Sequence, residues 1–142
     1  MTRALLDVNV VLALLDPRHV FHEAAHRWAA SPAQWLLCPI VENGVLRVAS
    51  SPRYATTLGV TGVVREVLQQ FRALPRVDFV PADVSLADDL LADPRALTWS
   101  RVTDLYLLAL ALRHNAQLVT FDRRIPAAAV RGGMGALQVL EA

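Results

Sequence analysis

The sequence of 142 residues contains no lysine, so all fourteen of its basic side chains are arginines. Chemistry that needs a lysine amine is therefore excluded. The excluded classes are phosphate-binding loops that end in Gly-Lys-Ser or Gly-Lys-Thr, enzymes that form Schiff bases, and receiver domains whose acidic pocket includes a lysine. Thirteen acidic residues leave a formal net charge of +1, which by itself indicates no particular partner.

Cysteine and long apolar runs are also scarce. The single cysteine, Cys38, cannot form a disulfide within the chain, and we expect a reducing compartment, the cytoplasm. The longest uninterrupted apolar run, 105–112, is much shorter than the roughly 20 residues of a membrane-spanning helix. Polar residues at 7, 9 and 16 interrupt the N-terminal segment before the apolar core of a signal peptide could form. We therefore expect neither a membrane helix nor a signal peptide.

Short apolar runs alternate with longer segments that have apolar residues three and four positions apart. The runs predict strands at 4–6, 35–37, 77–80, 117–120 and 137–140. The longer segments predict helices at 10–15, 21–30, 40–49, 60–74, 86–91 and 103–113. This alternation predicts one α/β domain over residues 1–142, a three-layer fold with a mostly parallel five-stranded sheet flanked by helices. The apolar side of the 60–74 helix suits the core or a dimer interface, and we favour the core.

Four acidic residues occupy positions where such a fold binds ligands. Asp7 and Asp122 follow strand runs, Glu42 lies in the first turn of a predicted helix, and Asp104 follows the predicted N-cap Thr103. Each alone has an ordinary explanation, because strand ends are solvated and helix N-termini favour acids. Together they predict a cluster of like charges that a divalent cation offsets. Carboxylate oxygens are hard ligands that suit Mg²⁺ or Mn²⁺.

Four segments carry a resemblance to a known family. In chain order they are Leu5-Leu6-Asp7-Val8-Asn9-Val10, Pro39-Ile40-Val41-Glu42-Asn43-Gly44-Val45-Leu46-Arg47, Val102-Thr103-Asp104-Leu105-Tyr106-Leu107-Leu108-Ala109-Leu110-Ala111 and Thr120-Phe121-Asp122-Arg123-Arg124. They resemble the four successive motifs of PIN-domain nucleases, most of all the VapC-type toxin ribonucleases of bacterial toxin–antitoxin pairs. One position departs from the pattern, since Val8 stands where many relatives have threonine or serine.

The resemblance implies an acidic metal site with two supporting polar side chains. The acids are Asp7, Glu42, Asp104 and Asp122, and the supporting residues are Asn9 and Thr120. It further implies a PIN-like fold, dependence on Mg²⁺ or Mn²⁺, endonucleolytic cleavage of RNA, a homodimer and a cognate antitoxin.

Two arginines, Arg123 and Arg124, come directly after Asp122. Guanidinium groups bind phosphate oxygens bidentately, so this pair suits the RNA phosphates that flank the cleaved bond. A solvated surface pair is the other interpretation.

A competing motif is His22-Glu23-Ala24-Ala25-His26, which matches the zinc-peptidase pattern His-Glu-x-x-His. On a helix the two histidines would share one face, with Glu23 as general base. A catalytic zinc site also needs a third protein ligand. Glu42 is the only glutamate soon after His26, and the acidic cluster already includes it. We therefore favour an ordinary amphipathic helix.

A third interpretation is a PIN-like module that binds RNA or a partner without cutting. Loss of catalysis usually leaves at least one acid replaced, and all four acids are present. We therefore favour a nuclease.

Overall fold

The computed structural model describes residues 2–54 and 58–142. Within those residues five strands form one parallel sheet in the order β3-β2-β1-β4-β5. The strands are β1 (Thr2–Leu6), β2 (Ala33–Leu37), β3 (Val77–Phe79), β4 (Gln117–Thr120) and β5 (Leu137–Val139). The predicted parallel five-stranded sheet is therefore confirmed.

Helices flank this sheet. The described residues contain α1 (Val8–Leu15), α2 (His22–Ala29), α3 (Pro39–Ala49), α4 (Thr61–Arg72) and α5 (Val102–Arg113). Helix α1 packs against both α2 and α3, α3 packs against α4, and α5 packs against β1 and β4. On α4, Val64, Leu68 and Phe71 are buried and Val63 is half exposed, so this helix contributes mainly to the core. None of the described helices is long and apolar enough to cross a membrane.

The prediction of a helix at 86–91 is wrong. Tight turns occupy this segment, and Leu91 instead forms an isolated antiparallel bridge with Val130. The Ser85 hydroxyl accepts a hydrogen bond from the backbone N–H of Ala87 at 3.1 Å. Because a serine side chain competes with the helical backbone in this way, Ser85 favours a turn over a helix.

The start of α5 also differs from the prediction that Thr103 is its N-cap. The backbone N–H of Arg101 donates to the carbonyl of Thr98 at 2.9 Å, closing a turn that leads directly into the helix. The helix therefore begins at Val102 with Arg101 as its N-cap, and Thr103 lies inside the first turn. The helix ends at Arg113, as predicted. Just beyond it Asn115 has a φ of 54°, a left-handed conformation that asparagine tolerates.

The strand order places the carboxyl ends of β1 and β4 side by side. Strand β1 pairs with β2 on one side and β4 on the other, so the order of connections reverses between β1 and β4. In the register of this pair Leu6 lies opposite Val119. The residues that follow β1 and β4 therefore emerge together at the carboxyl edge of the sheet, where open α/β folds bind ligands.

Candidate active site at the carboxyl edge of the sheet

Asp7 is the most buried acid of this edge, with 7% of its surface exposed. It follows β1 and is the N-cap of α1, where its Oδ1 accepts a hydrogen bond from the backbone of Val8 at 2.7 Å. Its Oδ2 accepts from the Thr120 hydroxyl at 2.8 Å. Burial raises the pKa of Asp7 above its ordinary value, these hydrogen bonds oppose the rise, and the charges of Asp104 and Asp122 add to it. Three of the predicted acids therefore interact.

The two predicted supporting residues contact one another beside Asp7. The Asn9 amide donates to Thr120 Oγ1 at 3.1 Å, and its carbonyl accepts from the backbone of Phe121 at 3.1 Å. Thr120 Oγ1 also accepts from the backbone N–H of Asp122 at 3.0 Å. This network connects the residues after β4 to the start of α1. Because Thr120 Oγ1 accepts from Asn9 and Asp122, its one proton is directed at Asp7, to which it donates.

The guanidinium of Arg101 contacts both Asp104 and Asp122, and this arginine was not among the predicted site residues. Nη1 of Arg101 lies 2.9 Å from Asp104 Oδ2 and 3.1 Å from Asp122 Oδ2. Each of the three side chains is about one-fifth exposed. The spacing of three between Arg101 and Asp104 was a visible signal, since residues three apart on a helix are neighbours. The contact with Asp122, 21 positions away, has no local signature.

Asp122 also contacts the predicted arginine pair. Its Oδ1 accepts from the backbone N–H of Arg124 at 2.9 Å and from the Arg124 guanidinium at 3.3 Å. Burial alone would raise the pKa of Asp122, but the hydrogen bonds from Arg124 and Arg101 outweigh it and lower this pKa below its ordinary value. Arg123 is exposed, and its side chain makes no hydrogen bond or ion pair with the described residues. Both arginines line an open cavity of about 480 Å³ beside Phe121.

Glu42 lies on α3 and faces α4. Its Oε2 is 3.7 Å from Nε of Arg72, too far for a hydrogen bond, and this buried atom has no hydrogen-bond partner among the described residues. Burial raises the pKa of Glu42, and the charge of Arg72 opposes the rise. Cys38, the N-cap of α3, has a raised pKa chiefly from burial, and the charges of both Glu42 and Asp7 contribute. Glu42 is thus turned toward Arg72, and within the described residues its pKa and that of Asp7 show no effect of each other's charge.

The side-chain chemistry of this edge fits a hard divalent cation. Within residues 2–54 and 58–142, no three His, Cys, Asp or Glu side chains are already grouped closely enough to hold a metal ion. The donors are carboxylate oxygens, which Mg²⁺ and Mn²⁺ prefer. Burial raises the pKa of Asp7, so a bound cation would stabilise its ionised form. Oε2 of Glu42 has the ion pair with Arg72 but no hydrogen bond among the described residues.

The His-Glu-x-x-His segment has a structural role. A ring nitrogen of His22 lies 2.7 Å from the carbonyl of Ala13, and one of His26 lies 3.0 Å from that of Leu14. Because a carbonyl only accepts, each histidine donates an N–H to the last turn of α1 and satisfies an end carbonyl there. Glu23 is exposed, and within the described residues the histidines belong to no metal-binding group. The geometry therefore gives the zinc-peptidase interpretation no support.

Comparison with known proteins agrees with this geometry. The family model described as PIN domain matches residues 4–131. Ribonuclease VapC44 of Mycobacterium tuberculosis is 42% identical over 133 residues, which cover 92% of this chain and 93% of that protein. Ribonuclease VapC38 of the same organism is 38% identical over 121 residues, 84% of each chain.

Solved structures share the fold. A toxin–antitoxin complex from Klebsiella pneumoniae aligns with a TM-score of 0.58 at 19% identity, covering 96% of each chain. FitAcB from Neisseria gonorrhoeae aligns with a TM-score of 0.55 at 21% identity, covering 89% of this chain and 92% of that one. The matches in sequence, the parallel sheet and the acids at its carboxyl edge lead to one conclusion: the chain belongs to the PIN-domain family, among its VapC-type ribonucleases.

Proposed function

We propose that this chain is an endoribonuclease that depends on Mg²⁺ or Mn²⁺ and acts as the toxin of a toxin–antitoxin pair. The observation that carries the proposal is buried Asp7 at the point where the strand order reverses. Burial is the main cause of its raised pKa, and the charges of Asp104 and Asp122 add to the rise. The relatives named ribonuclease support the reaction class. The intact set of acids favours cleavage over a module that only binds RNA.

In this proposal the metal ligands are Asp7, Glu42, Asp104 and Asp122. When bound, the cation acts as a Lewis acid for the phosphate and lowers the pKa of a water toward neutrality. Thr120 holds the orientation of Asp7 through the 2.8 Å hydrogen bond, and Asn9 holds Thr120 in turn. Oε2 of Glu42 has no hydrogen bond among the described residues, and in this proposal it binds the cation or orients the attacking water.

Arg123 and Arg124 bind the RNA backbone in this proposal. Both are exposed, and they line the open cavity that Asp122 also lines. The Arg124 guanidinium is 3.3 Å from Asp122 and 81% exposed, so it sits between the acids and solvent. Phosphate oxygens suit this placement because a guanidinium group binds them with two parallel hydrogen bonds.

The proposed partners are RNA, a cognate antitoxin and a second copy of the chain. The toxin–antitoxin complex among the solved relatives supports an antitoxin. Homodimerisation rests on the family resemblance and stays a prediction. A cytoplasmic location rests on the single Cys38 and also stays a prediction.

Cleavage of RNA by the purified protein tests this function. We expect single-stranded or loop RNA to be cut with Mg²⁺ or Mn²⁺, and the reaction to stop when a chelator is added. Asp104→Asn should abolish cleavage with the fold intact, whereas Asp78→Asn, at an exposed position of β3, should cut like the wild type. Equal cleavage by the wild type and Asp104→Asn would indicate a contaminating nuclease and contradict the assignment.

A further inference from the structure

Arg101 is the N-cap of α5, and hydrogen bonds on both sides hold its backbone there. The turn from Thr98 to Arg101 and the hydrogen bond from Leu105 N–H to the Arg101 carbonyl, 3.0 Å long, hold its backbone. Its guanidinium extends to two carboxylates that come from different parts of the chain. One belongs to its own helix, at Asp104, and the other to the segment after β4, at Asp122.

This contact differs from the other ion pairs of the described residues. The Arg95–Asp93 pair involves an arginine side chain that is 93% exposed, and the Arg131–Asp89 pair involves an acid that is 87% exposed. Such surface pairs are weak because solvent screens them. In contrast, Arg101 and both of its acids are about one-fifth exposed, and one nitrogen serves both carboxylates. Arg101 is therefore a fixed counter-ion of Asp104 and Asp122.

The oxygens that contact Arg101 are also oxygens that would bind a metal. Nη1 contacts Oδ2 of Asp104 and Oδ2 of Asp122, the two acids whose charges act on Asp7. These two oxygens accept hydrogen bonds from the guanidinium and are also the kind of ligand that a divalent cation prefers. Two cations held by the same oxygens also repel one another at short range. Arg101 and a metal ion are therefore alternative partners for this pair of acids.

We propose that Arg101 is an internal counter-ion that a divalent cation must displace from Asp104 and Asp122, so that this arginine sets the metal concentration at which the site fills. The inference rests on the proposed function, because it assumes that these carboxylates hold the cation. Before the metal binds, Arg101 holds the two acids together and offsets their negative charge. The same contact weakens the affinity of the acids for the metal. Its role is that of a positioning residue, and it acts through the two acids.

Direct measurement of Mn²⁺ binding without RNA tests the inference. Isothermal titration or the electron paramagnetic resonance signal of free Mn²⁺ gives the dissociation constant for each variant. We expect Arg101→Met, which keeps the length of the side chain and removes its charge, to bind Mn²⁺ at least about fivefold more tightly, the lower end of typical coupling between two sites. Arg101→Lys restores a cation and should return the affinity toward that of the wild type.

Arg123→Gln is the matched control for charge alone. It removes one positive charge beside Asp122 from a side chain that contacts none of the described acids. Its affinity for Mn²⁺ should change much less than that of Arg101→Met. Affinity that is unchanged or weaker in Arg101→Met overturns the inference. An equal gain in Arg123→Gln also overturns it, since the effect would then be general electrostatics.

A different result would contradict the proposed function. Mn²⁺ binding that is as strong in Asp104→Asn as in the wild type would contradict the metal site itself, and the inference would fall with it. Asp104-dependent binding together with an unchanged affinity in Arg101→Met would contradict the inference alone.

A second measurement uses only the wild type and Arg101→Lys, should Arg101→Met not fold. Nuclear magnetic resonance of the arginine Nε–H groups follows each guanidinium, and the signal lost in Arg101→Lys is that of Arg101. We expect this signal to shift when Mg²⁺ is added and the guanidinium leaves the acids. An Arg101 signal that stays in place while Mg²⁺ saturates the site would overturn the inference.

Discussion

The hydroxyl of Thr120, the last residue of β4, donates a hydrogen bond of 2.8 Å to Oδ2 of Asp7, the first residue after β1. The two residues are 113 positions apart in the chain. The pairing of β1 with β4 makes this contact, since it aligns Leu6 with Val119 and brings the next residues together. The bond orients the most buried acid of the site, so the sheet topology and the chemistry of the site depend on the same strand pair.

Replacing this hydroxyl should lower the stability of the protein. Thr120→Val keeps the shape of the side chain but leaves Asp7, the Asn9 amide and the Asp122 N–H without their shared partner. Because buried polar groups without partners are unfavourable, we expect a loss of roughly 1–3 kcal/mol in the free energy of unfolding, measured by urea denaturation. Thr61→Val, at an exposed position of α4, should lose much less. Equal losses would show that the network contributes nothing specific.

The raised pKa of Asp7 predicts a pH dependence of stability. Its folded pKa lies above the ordinary value of 3.8, chiefly because of burial. Protonated Asp7 therefore favours the folded state, and this contribution is lost as the pH rises through the folded pKa. In metal-free buffer, the stability of the wild type relative to Asp7→Asn should be greatest at low pH and should decline as the pH rises. Unfolding free energies measured across the acidic range check this, and a difference that grows with pH would contradict it.

The fold was largely predictable because its strongest signals are local. Leu5, Leu36 and Leu118 lie on neighbouring strands and are fully or almost fully buried, so their runs are apolar on both sides. The wrong prediction of a helix at 86–91 has the opposite cause. There the apolar spacing is present, but hydrogen bonds of Ser85 and its neighbours favour turns.

The candidate site was predictable only in part. The acids follow strands or begin helices, and these positions are visible in the sequence. Arg101 was missed because one of its two acid partners is Asp122. That contact forms only after α5 has packed against β4. The orientation of Glu42 toward Arg72 was missed for the same reason, since it depends on how α3 and α4 pack.

The two histidines of the competing motif should matter for stability and not for cleavage. His22→Ala combined with His26→Ala removes hydrogen bonds to the carbonyls of Ala13 and Leu14. We expect a loss of about 1 kcal/mol in unfolding free energy for each bond, measured by thermal or urea unfolding. Metal-dependent cleavage of RNA should persist below the melting temperature. Loss of cleavage with the fold unchanged would mean that the motif is functional.

Metal ions should stabilise the wild type through Asp104. A ligand that binds only the folded state stabilises it by about 2.7 kcal/mol at 100 times its dissociation constant. We therefore expect Mg²⁺ or Mn²⁺ to raise the melting temperature of the wild type and of Asp78→Asn, and to raise that of Asp104→Asn much less. Thermal melts with and without a chelator measure this. An equal rise in all three proteins would show that the ions act elsewhere.

Anomalous diffraction of crystals soaked in Mn²⁺ tests the proposed metal site most directly. We expect a manganese peak whose ligands include carboxylate oxygens of Asp7, Asp104 and Asp122, with the Arg101 guanidinium moved away from the two acids that it contacts here. Crystals of Asp104→Asn should show a much weaker peak. A manganese ion bound only at other residues, with Arg101 still between Asp104 and Asp122, would contradict the proposed metal site.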